Sequence, residues 1–564
     1  SSGRDRSTCG SEIARRRAER SHVVITNHSF VLARQEFLRH VVFDECEHLH
    51  DQARGAWSHV LSTVRLSREL GEVYRERTGA GPLGEVLGAA PDGSLIERVA
   101  HGAVERAASA RLRLDALEVE LSRYRIWRDQ EQGRRDPRDR HGVFREFVQH
   151  GPSQGLVACQ RELVTDLARL DAALSDLVDH MDELPSRKRE FLRGGLSIRR
   201  LALYECNEAL AAWLPDDEAR ADLAPRFDPN VFYDVAAEEL GPGRGRGQAR
   251  PGQAGHRRTD TQLMAQVLLP QEDLGRRYFP ELESGVLLSA TTWVQGGFQS
   301  AANYLGLARC AEPDEDEARD GRPFDTLKIA EVFDYGRVLV GVPRDAPGVR
   351  DRDAYLTYVT RFLAHLAERT RGRILCLFTN GRDLAQVGRD LTEALTGTEV
   401  PVYWQGMGVA KEELAERFRA RTDSVLLGLD TFWYGADFPG ETLEYLVLAR
   451  LPYGVPDDYH FAQEASMGSR EQRKRVYMPR SLARFRQGFG RLMRRESDRG
   501  CVFLLDKRVI EPRHRAFLKE LPIGGLGASF GGDATDEAVD PKRLARLVRG
   551  ETDLVLREAF AHMG

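Results

Sequence analysis

The chain has 564 residues, of which 41% are hydrophobic and 30% charged, and its formal net charge is −5. This composition is typical of a globular protein of about three or four domains and excludes a disordered or fibrous chain. No apolar run approaches the ~18–20 residues that cross a bilayer, the N-terminus lacks a secretory signal, and the cysteines suggest no disulfide framework, so we expect a cytoplasmic protein with no membrane partner.

Short apolar segments recur along the chain, and most lack polar alternation, which predicts strands buried on both faces of a parallel sheet. They lie at 22–26, 40–44, 285–289, 338–342, 373–379, 401–404, 425–429, 445–448 and 501–505. Helical patterns separate several of them, at 353–369, 382–395 and 411–421. This alternation predicts an α/β protein, whose ligands bind in loops beyond the carboxyl ends of the strands.

The second predicted strand ends at Asp44 and Glu45, in the sequence VVFDECEHLHD. A carboxylate pair at the carboxyl end of a strand can hold Mg²⁺ and polarise a water molecule that attacks a nucleotide phosphate. Acidic residues at this position also cap helices. The pattern alone leaves both interpretations open.

Between about residues 57 and 261, apolar residues recur at helical spacing, as at Leu163, Leu167, Leu170 and Leu174. This pattern predicts a helical insertion of roughly two hundred residues between two strands of an α/β unit. Its last part, 241–258, is rich in glycine, arginine and proline. That composition is typical of a flexible linker, although its arginines could also contact nucleic acid.

Two later strands lead into small polar residues. The segment GVLLSATT delivers Ser289 and Thr291, hydroxyl side chains that can bond a neighbouring segment or merely cap a turn. The segment VLLGLDTFWYGADFPG places Gly435 and Asp437 after an aromatic cluster. Glycine permits close approach of a ligand to the backbone, and the aspartate could bind a hydroxyl or an amide.

The segment RFRQGFGRLMR carries Gln487, Gly490, Arg491 and Arg494. The spacing i, i+4, i+7 predicts that the glutamine and both arginines share one helical face. Arginine suits the charge that develops on a transferred phosphoryl group. A solvent-exposed polar face is the alternative interpretation.

In this order and spacing, the segments resemble the DinG/XPD-type superfamily-two ATP-dependent DNA helicases, which include an iron–sulfur group. Asp44–Glu45 matches the DEAH box, Ser289–Thr291 the SAT motif, Thr431–Gly440 the pattern FWxGxDxxG, and Gln487–Arg494 the pattern QxxGRxxR. The resemblance implies two RecA-like parallel-sheet lobes, with a large helical, Arch-like insertion in the first.

The resemblance also implies domain boundaries. The remainder of the first lobe would occupy 1–56, the Arch-like insertion and its linker 57–261, the return to the first lobe 262–325, the second lobe 326–530, and a C-terminal tail 531–564.

The roles of individual residues follow from the same resemblance. Asp44 and Glu45 would bind Mg²⁺, and Glu45 would also activate water. Gln487, Arg491 and Arg494 would contact the γ-phosphate of ATP. We expect Gly435, Asp437 and Gly490 to contribute to nucleotide binding and its coupling to lobe movement. The matched motifs thus give five catalytic candidates, Asp44, Glu45, Gln487, Arg491 and Arg494, and three binding candidates, Gly435, Asp437 and Gly490.

The expected partners are ATP, single-stranded DNA and DNA duplex junctions. The resemblance implies 5′→3′ movement, and a monomeric motor is the simplest expectation. Trp404, Phe432, Trp433 and Tyr453 are candidates for stacking on bases, although aromatic residues near strands more often lie in the core.

Two departures from the family pattern stand out. Glu47 occupies the place of the DEAH histidine, and no G-x-x-x-x-G-K-[ST] phosphate loop occurs in the sequence. With the missing initiator methionine, the second departure leads us to expect a chain that lacks its N-terminal part and binds ATP poorly alone. Cys9 could be one ligand of a 4Fe–4S cluster in a longer protein, or a lone thiol.

The alternative is a nucleic-acid-binding or scaffold protein that keeps the helicase fold but has lost ATP turnover. The absent phosphate loop and Glu47 favour this alternative, whereas Asp44, Glu45 and the two arginines favour the motor. An in-frame phosphate loop and three cysteines upstream of Ser1 would support the motor, and a nearby start codon would support the scaffold.

Overall fold

The computed structural model describes residues 14, 16–34, 38–132, 144–148, 154–214, 227–239, 259–313, 320–329, 333–433, 438, 440–524 and 541–564. These residues contain twelve strands: β1 His40–Phe43, β2 His59–Ser62, β3 Val231–Glu239, β4 Thr259–Val267, β5 Ser284–Leu287, β6 Val338–Pro343, β7 Ile374–Leu377, β8 Val402–Trp404, β9 Val425–Gly428, β10 Tyr445–Leu448, β11 Gly500–Leu504 and β12 Arg546–Gly550.

The α-helices with complete bounds in the described residues are α1 His28–Ala33, α2 Leu49–Trp57, α3 Thr63–Val73, α4 Pro82–Leu87, α5 Leu95–Gln132, α6 Gln154–Asp179, α7 Ser186–Trp213, α8 Pro270–Asp273, α9 Gln299–Tyr304, α10 Leu307–Cys310, α11 Arg352–Thr370, α12 Gly381–Ala394, α13 Lys411–Ala420, α14 Asp430–Trp433, α15 Asp458–Met467, α16 Ser469–Gln472, α17 Met478–Phe489, α18 Ala516–Lys519 and α19 Thr552–Met563. None of these combines the length and hydropathy that crossing a bilayer requires.

The chain divides into two compact units, the first of which comprises Ser1–Arg34, Asp51–Pro270 and Pro456–Gly468. Its main body is helical, as predicted, with α5 packed along α6 and α6 along α7. The leucines predicted to line one face, including Leu163 and Leu170, are fully buried in its core.

The first unit also contains a three-stranded antiparallel sheet in the order β2-β4-β3, which the helical prediction missed. The signal was present in β4, where Thr261, Leu263, Ala265 and Val267 are buried and the residues between them are less so. Alternation of this kind indicates a strand with one face on the core. The Gly/Arg-rich stretch 241–258 lies outside the described residues.

Helix α15 comes from the C-terminal part of the sequence but belongs to the first unit. The hydroxyl of Tyr459 lies 2.7 Å from the carbonyl oxygen of Val267, and Gln463 Nε2 donates to the carbonyl of Leu268 at 2.6 Å. Arg54 lies over the ring of Tyr459, 4.4 Å from its centroid. The helix therefore docks at the end of β4.

The second unit comprises Gln35–His50, Gln271–Val455 and Ser469–Gly564. It contains a parallel sheet in the order β12-β6-β11-β10-β7-β9-β8. Successive residues of β7 enter two separate cores: Leu375 and Leu377 join one, Ile374 and Cys376 the other. The sheet is therefore buried on both faces, as continuous apolar runs predict, and the predicted α/β fold class is confirmed.

Two local predictions were wrong. Residues 22–26 form no strand. Strands β1 and β5 pair only with each other among the described residues, and Val42 and Val286 are exposed rather than buried. The predicted domain boundaries remain predictions. Within the segment 531–564, β12 pairs with β6 and α19 packs on β6. Strand β12 has a polar, partly exposed pattern, so it gave no apolar signal.

Candidate nucleotide-binding site

The acidic segment Asp44–Glu47 begins where β1 ends. Strand β1 runs parallel to β5, and beyond it the amide of Cys46 donates to the carbonyl of Leu288 at 3.0 Å. Asp44 and Glu45 are both exposed. The side chain of Glu45 makes no capping hydrogen bond to the turn that follows, so the alternative of a helix cap is not supported for this residue.

The backbone of Glu45 is left-handed, with φ of 50° and ψ of 48°. This conformation is uncommon for residues other than glycine. Asp44 Oδ1 accepts from the amide of Glu45 at 3.0 Å, which helps to hold the turn. The sharp turn presents two adjacent carboxyl groups to solvent.

The pKa of Glu45 is raised to about 7, first by a hydrogen bond with Glu47, then by desolvation and by the charges of Glu47 and Asp44. Two carboxyl groups in hydrogen-bonding contact favour a shared proton. Burial raises the pKa of the Cys46 thiol to about 12, so this thiol stays neutral at physiological pH.

Carboxylates suit Mg²⁺, which proteins commonly hold with one or two carboxylates together with nucleotide phosphates. Asp44 and Glu45 fit this requirement. Among the described residues, no group of three or more histidine, cysteine or acidic side chains could hold a metal ion by itself. Those residues do not fit a 4Fe–4S cluster, which needs four ligands, and Cys9 lies outside the described residues.

Ser289 and Thr291 bond to each other after β5. The serine Oγ accepts from the threonine amide at 2.9 Å, and the two hydroxyl oxygens lie 3.1 Å apart. This arrangement is a local turn of the kind that hydroxyl side chains form. Thr291 is buried.

Gln487 brings a distant motif into contact with the acidic segment. Its Nε2 donates a hydrogen bond to Oε1 of Glu47, across 440 positions of sequence. Gln487 lies in the last turn of α17 and is 9% exposed. The structure therefore joins the DEAH-like and QxxGRxxR-like segments at the residue that departs from the family pattern.

The predicted helical face of Gln487, Arg491 and Arg494 is wrong, because α17 ends at Phe489. Gly490 occupies the C-cap position, and Asp498 Oδ2 accepts from the amide of Arg494 at 2.8 Å, which stabilises a turn instead. Arg491 is 9% exposed, whereas Arg494 is exposed. Gln487 contacts the acidic segment through Glu47.

Gly435 and Asp437 lie outside the described residues, so their predicted roles remain predictions. Two of the aromatic candidates for base stacking are core residues: Phe432 and Trp433 are fully buried. Trp433 Nε1 donates to the carbonyl of Phe378 at 3.1 Å. These two side chains stabilise the second unit and present no surface for stacking.

The sequence interpretation missed two residues that contact the segment after Thr291. Arg486 donates to the carbonyl of Trp293, just after Thr291, and Glu520 accepts from the amide of Gln295 at 2.9 Å. Arg486 precedes Gln487 in the segment RFRQGFGRLMR, so the sequence motif itself pointed to this position. Glu520 lies in no recognised motif.

The helicase C-terminal domain family model matches residues 363–523, a range that includes β9, β10, α17 and β11. This part of the chain is similar to that family. The predicted resemblance to DinG/XPD-type helicases is confirmed.

Several curated proteins are similar to the chain. It is 31% identical over 268 residues to the 3′-5′ exonuclease DinG of Bacillus subtilis (strain 168), covering 46% of this chain and 28% of that protein. It is 29% identical over 245 residues to the ATP-dependent DNA helicase YoaA of Escherichia coli (strain K12), covering 42% and 35%. It is 31% identical over 240 residues to the ATP-dependent helicase DinG of Mycobacterium tuberculosis (strain ATCC 25618 / H37Rv), covering 42% and 34%.

The chain thus spans about a third of the length of the curated relatives it matches. A solved structure named XPD_APO is 12% identical, with a TM-score of 0.42, and the match covers 90% of this chain and 76% of that one. The α/β assignment rests on the sheet topology and not on this structural comparison.

Proposed function

We propose that the chain is part of a DinG-type ATP-dependent DNA helicase or translocase. The helicase C-terminal domain and the relatives named as ATP-dependent helicases support this proposal. The observation that carries it is the hydrogen bond from Gln487 to Glu47. It links a residue of the helicase C-terminal domain to the segment that holds the acidic pair.

In the proposed mechanism, Asp44 and Glu45 would hold Mg²⁺, which would neutralise phosphate charge when bound. Glu45 accepts a proton from the attacking water. Its pKa of about 7 suits a general base that works near neutral pH. Arg491 and Arg494 would stabilise the charge that develops on the γ-phosphate, and Gln487 would report the state of the phosphate to the acidic segment.

Gly435, Asp437 and Gly490 complete the proposed nucleotide site and its coupling to movement. The 564 residues contain no phosphate loop of the G-x-x-x-x-G-K-[ST] type, so we propose that these residues alone bind ATP weakly. A longer protein would supply the loop, and Cys9 would there be one of four cluster ligands.

The proposed partners are single-stranded DNA and duplex junctions, with movement in the 5′→3′ direction as the family resemblance implies. We propose a monomeric, cytoplasmic motor. Sequence-independent contacts to the DNA backbone suit such an activity, because a translocase must pass every base alike. Duplexes with a single 5′ or a single 3′ overhang test the direction directly.

The decisive experiment uses the protein produced from the whole gene, called here the full translation product. It compares ATP hydrolysis by this protein and by its Glu45→Gln variant, with and without single-stranded DNA. We expect DNA-stimulated hydrolysis in the parent and its loss in the variant, with DNA binding nearly unchanged. Glu441→Gln, a substitution in the turn Gly440–Thr442, is the control. If Glu45→Gln and the parent hydrolyse ATP at the same rate, Glu45 does not act as the proton acceptor.

The second candidate is a nucleic-acid-binding or scaffold protein without ATP turnover. Glu47 in place of the histidine and the absence of a phosphate loop in the sequence favour it. In the same assay, DNA binding by the parent with no hydrolysis at any DNA concentration would support this candidate over the motor.

A further inference from the structure

The segment after Thr291 forms a tight turn. Val294 and Gly297 exchange backbone hydrogen bonds of 3.1 and 3.2 Å, and the two residues between them, Gln295 and Gly296, have φ of 57° and 82°. Positive φ at both central positions defines a type I′ turn, which favours glycine or asparagine. A glutamine there is unusual, so contacts from outside the turn must hold it.

One such contact comes from Glu520, directly after α18. Its Oε1 accepts from the amide of Gln295 at 2.9 Å, and the residue is only 1% exposed. Its Oε2 makes no hydrogen bond among the described residues. Burying a carboxylate is costly, and an apolar residue of similar size is often as stable. A contribution to folding stability therefore does not explain why a carboxylate is buried at this position.

Arg486 supplies the second contact. Its guanidinium donates to the carbonyl of Trp293 and lies 3.8 Å from Oε2 of Glu520. Between these two polar contacts, Val294 is buried in the same apolar cluster as Phe489 and Phe517. The turn is thus attached to α17 and α18 through two polar contacts and one apolar side chain.

Arg486 and Gln487 are consecutive residues of α17. The first binds the turn that follows Ser289 and Thr291, and the second binds Glu47 beside the acidic pair. Helix α17 therefore contacts the acidic segment, which the proposed function assigns to nucleotide hydrolysis, and also the turn that follows the SAT-like residues Ser289 and Thr291. The two contacts therefore attach both segments to adjacent positions of one helix.

We propose that Glu520 and Arg486 are positioning residues that hold the turn at 293–297 against α17, so that this turn and the acidic segment, both contacted by α17, keep a fixed spacing. This inference rests on the proposed function. Neither residue touches the nucleotide in this proposal. They act through the turn and the helix, and their loss should lower kcat more than it raises KM.

The test uses the full translation product and three variants. Glu520→Ala removes the acceptor for Gln295, Glu520→Gln retains an acceptor, and Arg486→Met removes the donor to Trp293 while filling similar space. The exposed Glu511→Ala is the control. Hydrogen exchange of the 292–297 segment and steady-state ATP hydrolysis with single-stranded DNA are measured for each.

We expect Glu520→Ala and Arg486→Met to speed exchange of the turn by about tenfold, the effect of losing one hydrogen bond to a charged group. We expect kcat to fall about tenfold with little change in KM for ATP, and Glu520→Gln to restore most of both. The positioning role is overturned if the variants leave the exchange of the turn unchanged, or if they speed exchange without lowering kcat. In either case, ATP hydrolysis by the parent protein still supports the proposed helicase function. A parent without ATP hydrolysis overturns the proposed function and this inference together.

Discussion

Gln487 Nε2 donates a hydrogen bond to Glu47 Oε1, and this contact joins the last turn of α17 to the acidic segment after β1. A histidine in the place of Glu47 could act as donor or acceptor, whereas an ionised glutamate only accepts. Gln487 carries both groups, so its amide can turn to present a donor. The substitution at position 47 is therefore compatible with a contact between the two motifs.

A double-mutant cycle measures this contact. Glu47→Ala, Gln487→Ala and the double variant should show a coupling free energy of about 1.5–3 kcal/mol, the range for a hydrogen bond to a charged group. Native-state hydrogen exchange of α17 gives the local free energy that the cycle needs. Additive single effects would show that the two side chains do not interact in solution.

The stability contributed by Glu520 should depend on pH. Burial raises the pKa of its carboxyl above the ordinary value of 4.5, with the nearby Arg486 only partly offsetting this effect. The folded protein then binds a proton that the unfolded chain has already released, so this group lowers stability as pH rises through and above 4.5. Relative to the parent, Glu520→Gln should therefore gain stability as pH rises.

Thermal unfolding of parent and Glu520→Gln at several pH values between about 5 and 8 checks this sign. The difference in melting temperature, variant minus parent, should increase with pH. A constant difference would mean that the Glu520 carboxyl is already ionised throughout that range.

The parallel sheet of the second unit was predictable because its strands are buried on both faces. Ile374 and Leu375 enter opposite cores, so neither position tolerates a polar residue and the run stays continuously apolar. Within the part of the chain that the structure describes, strand β12 pairs on one side only, with β6, and Arg546 and Arg549 are exposed. An edge strand needs few apolar residues, and this one gave no signal.

The sequence predicted the residues of each motif in the candidate site, but not the contacts between motifs. The order of segments identified Glu45 and Gln487, because their residue types suit phosphate chemistry. It could not show that Glu47 meets Gln487, since contact across 440 positions depends on the folded chain. Glu520 was missed for the same reason: its role depends on a backbone amide, and any residue except proline supplies one.

Gly488 should be intolerant of a methyl group. A Cβ built at this position lies 2.5 Å from Trp433 Cζ3 and 2.6 Å from Cε3, and Trp433 is fully buried and cannot move away freely. Gly488→Ala should therefore lower stability by about 1–3 kcal/mol through overpacking. The measurement is thermal unfolding, followed for each variant in the unit that carries the substitution.

Gly194 in α7 is the matched control, because it is a helical glycine with no atom within 4 Å of the added Cβ. Gly194→Ala should be neutral or stabilise its helix by about 0.5–1 kcal/mol through higher helix propensity. If both variants behave alike, the close packing of Gly488 on Trp433 does not persist in solution.

Asp383 should be the most sensitive carboxylate at the carboxyl end of β7 and β10. Its Oδ1 accepts from Arg352 Nε at 2.8 Å, and its Oδ2 lies 3.0 Å from Arg450 Nη2, with 3% of the side chain exposed. Arg450 also lies over the ring of Tyr355, whose hydroxyl donates to the carbonyl of Ala449. Removing the carboxylate leaves two guanidinium groups without their shared counter-charge.

Asp383→Ala should therefore lower stability by about 1–3 kcal/mol, less than the loss of a fully buried ion pair, because the side chains of Arg352 and Arg450 are 44% and 24% exposed and stay partly solvated. Asp353 provides the control, because it also lies near Arg352, at 3.6 Å, but its side chain is 90% exposed. Asp353→Ala should cost no more than about 1 kcal/mol. Thermal unfolding of both variants and the parent measures the two losses of stability. Similar small losses would show that the Asp383 carboxylate is solvated and does not stabilise the two arginines.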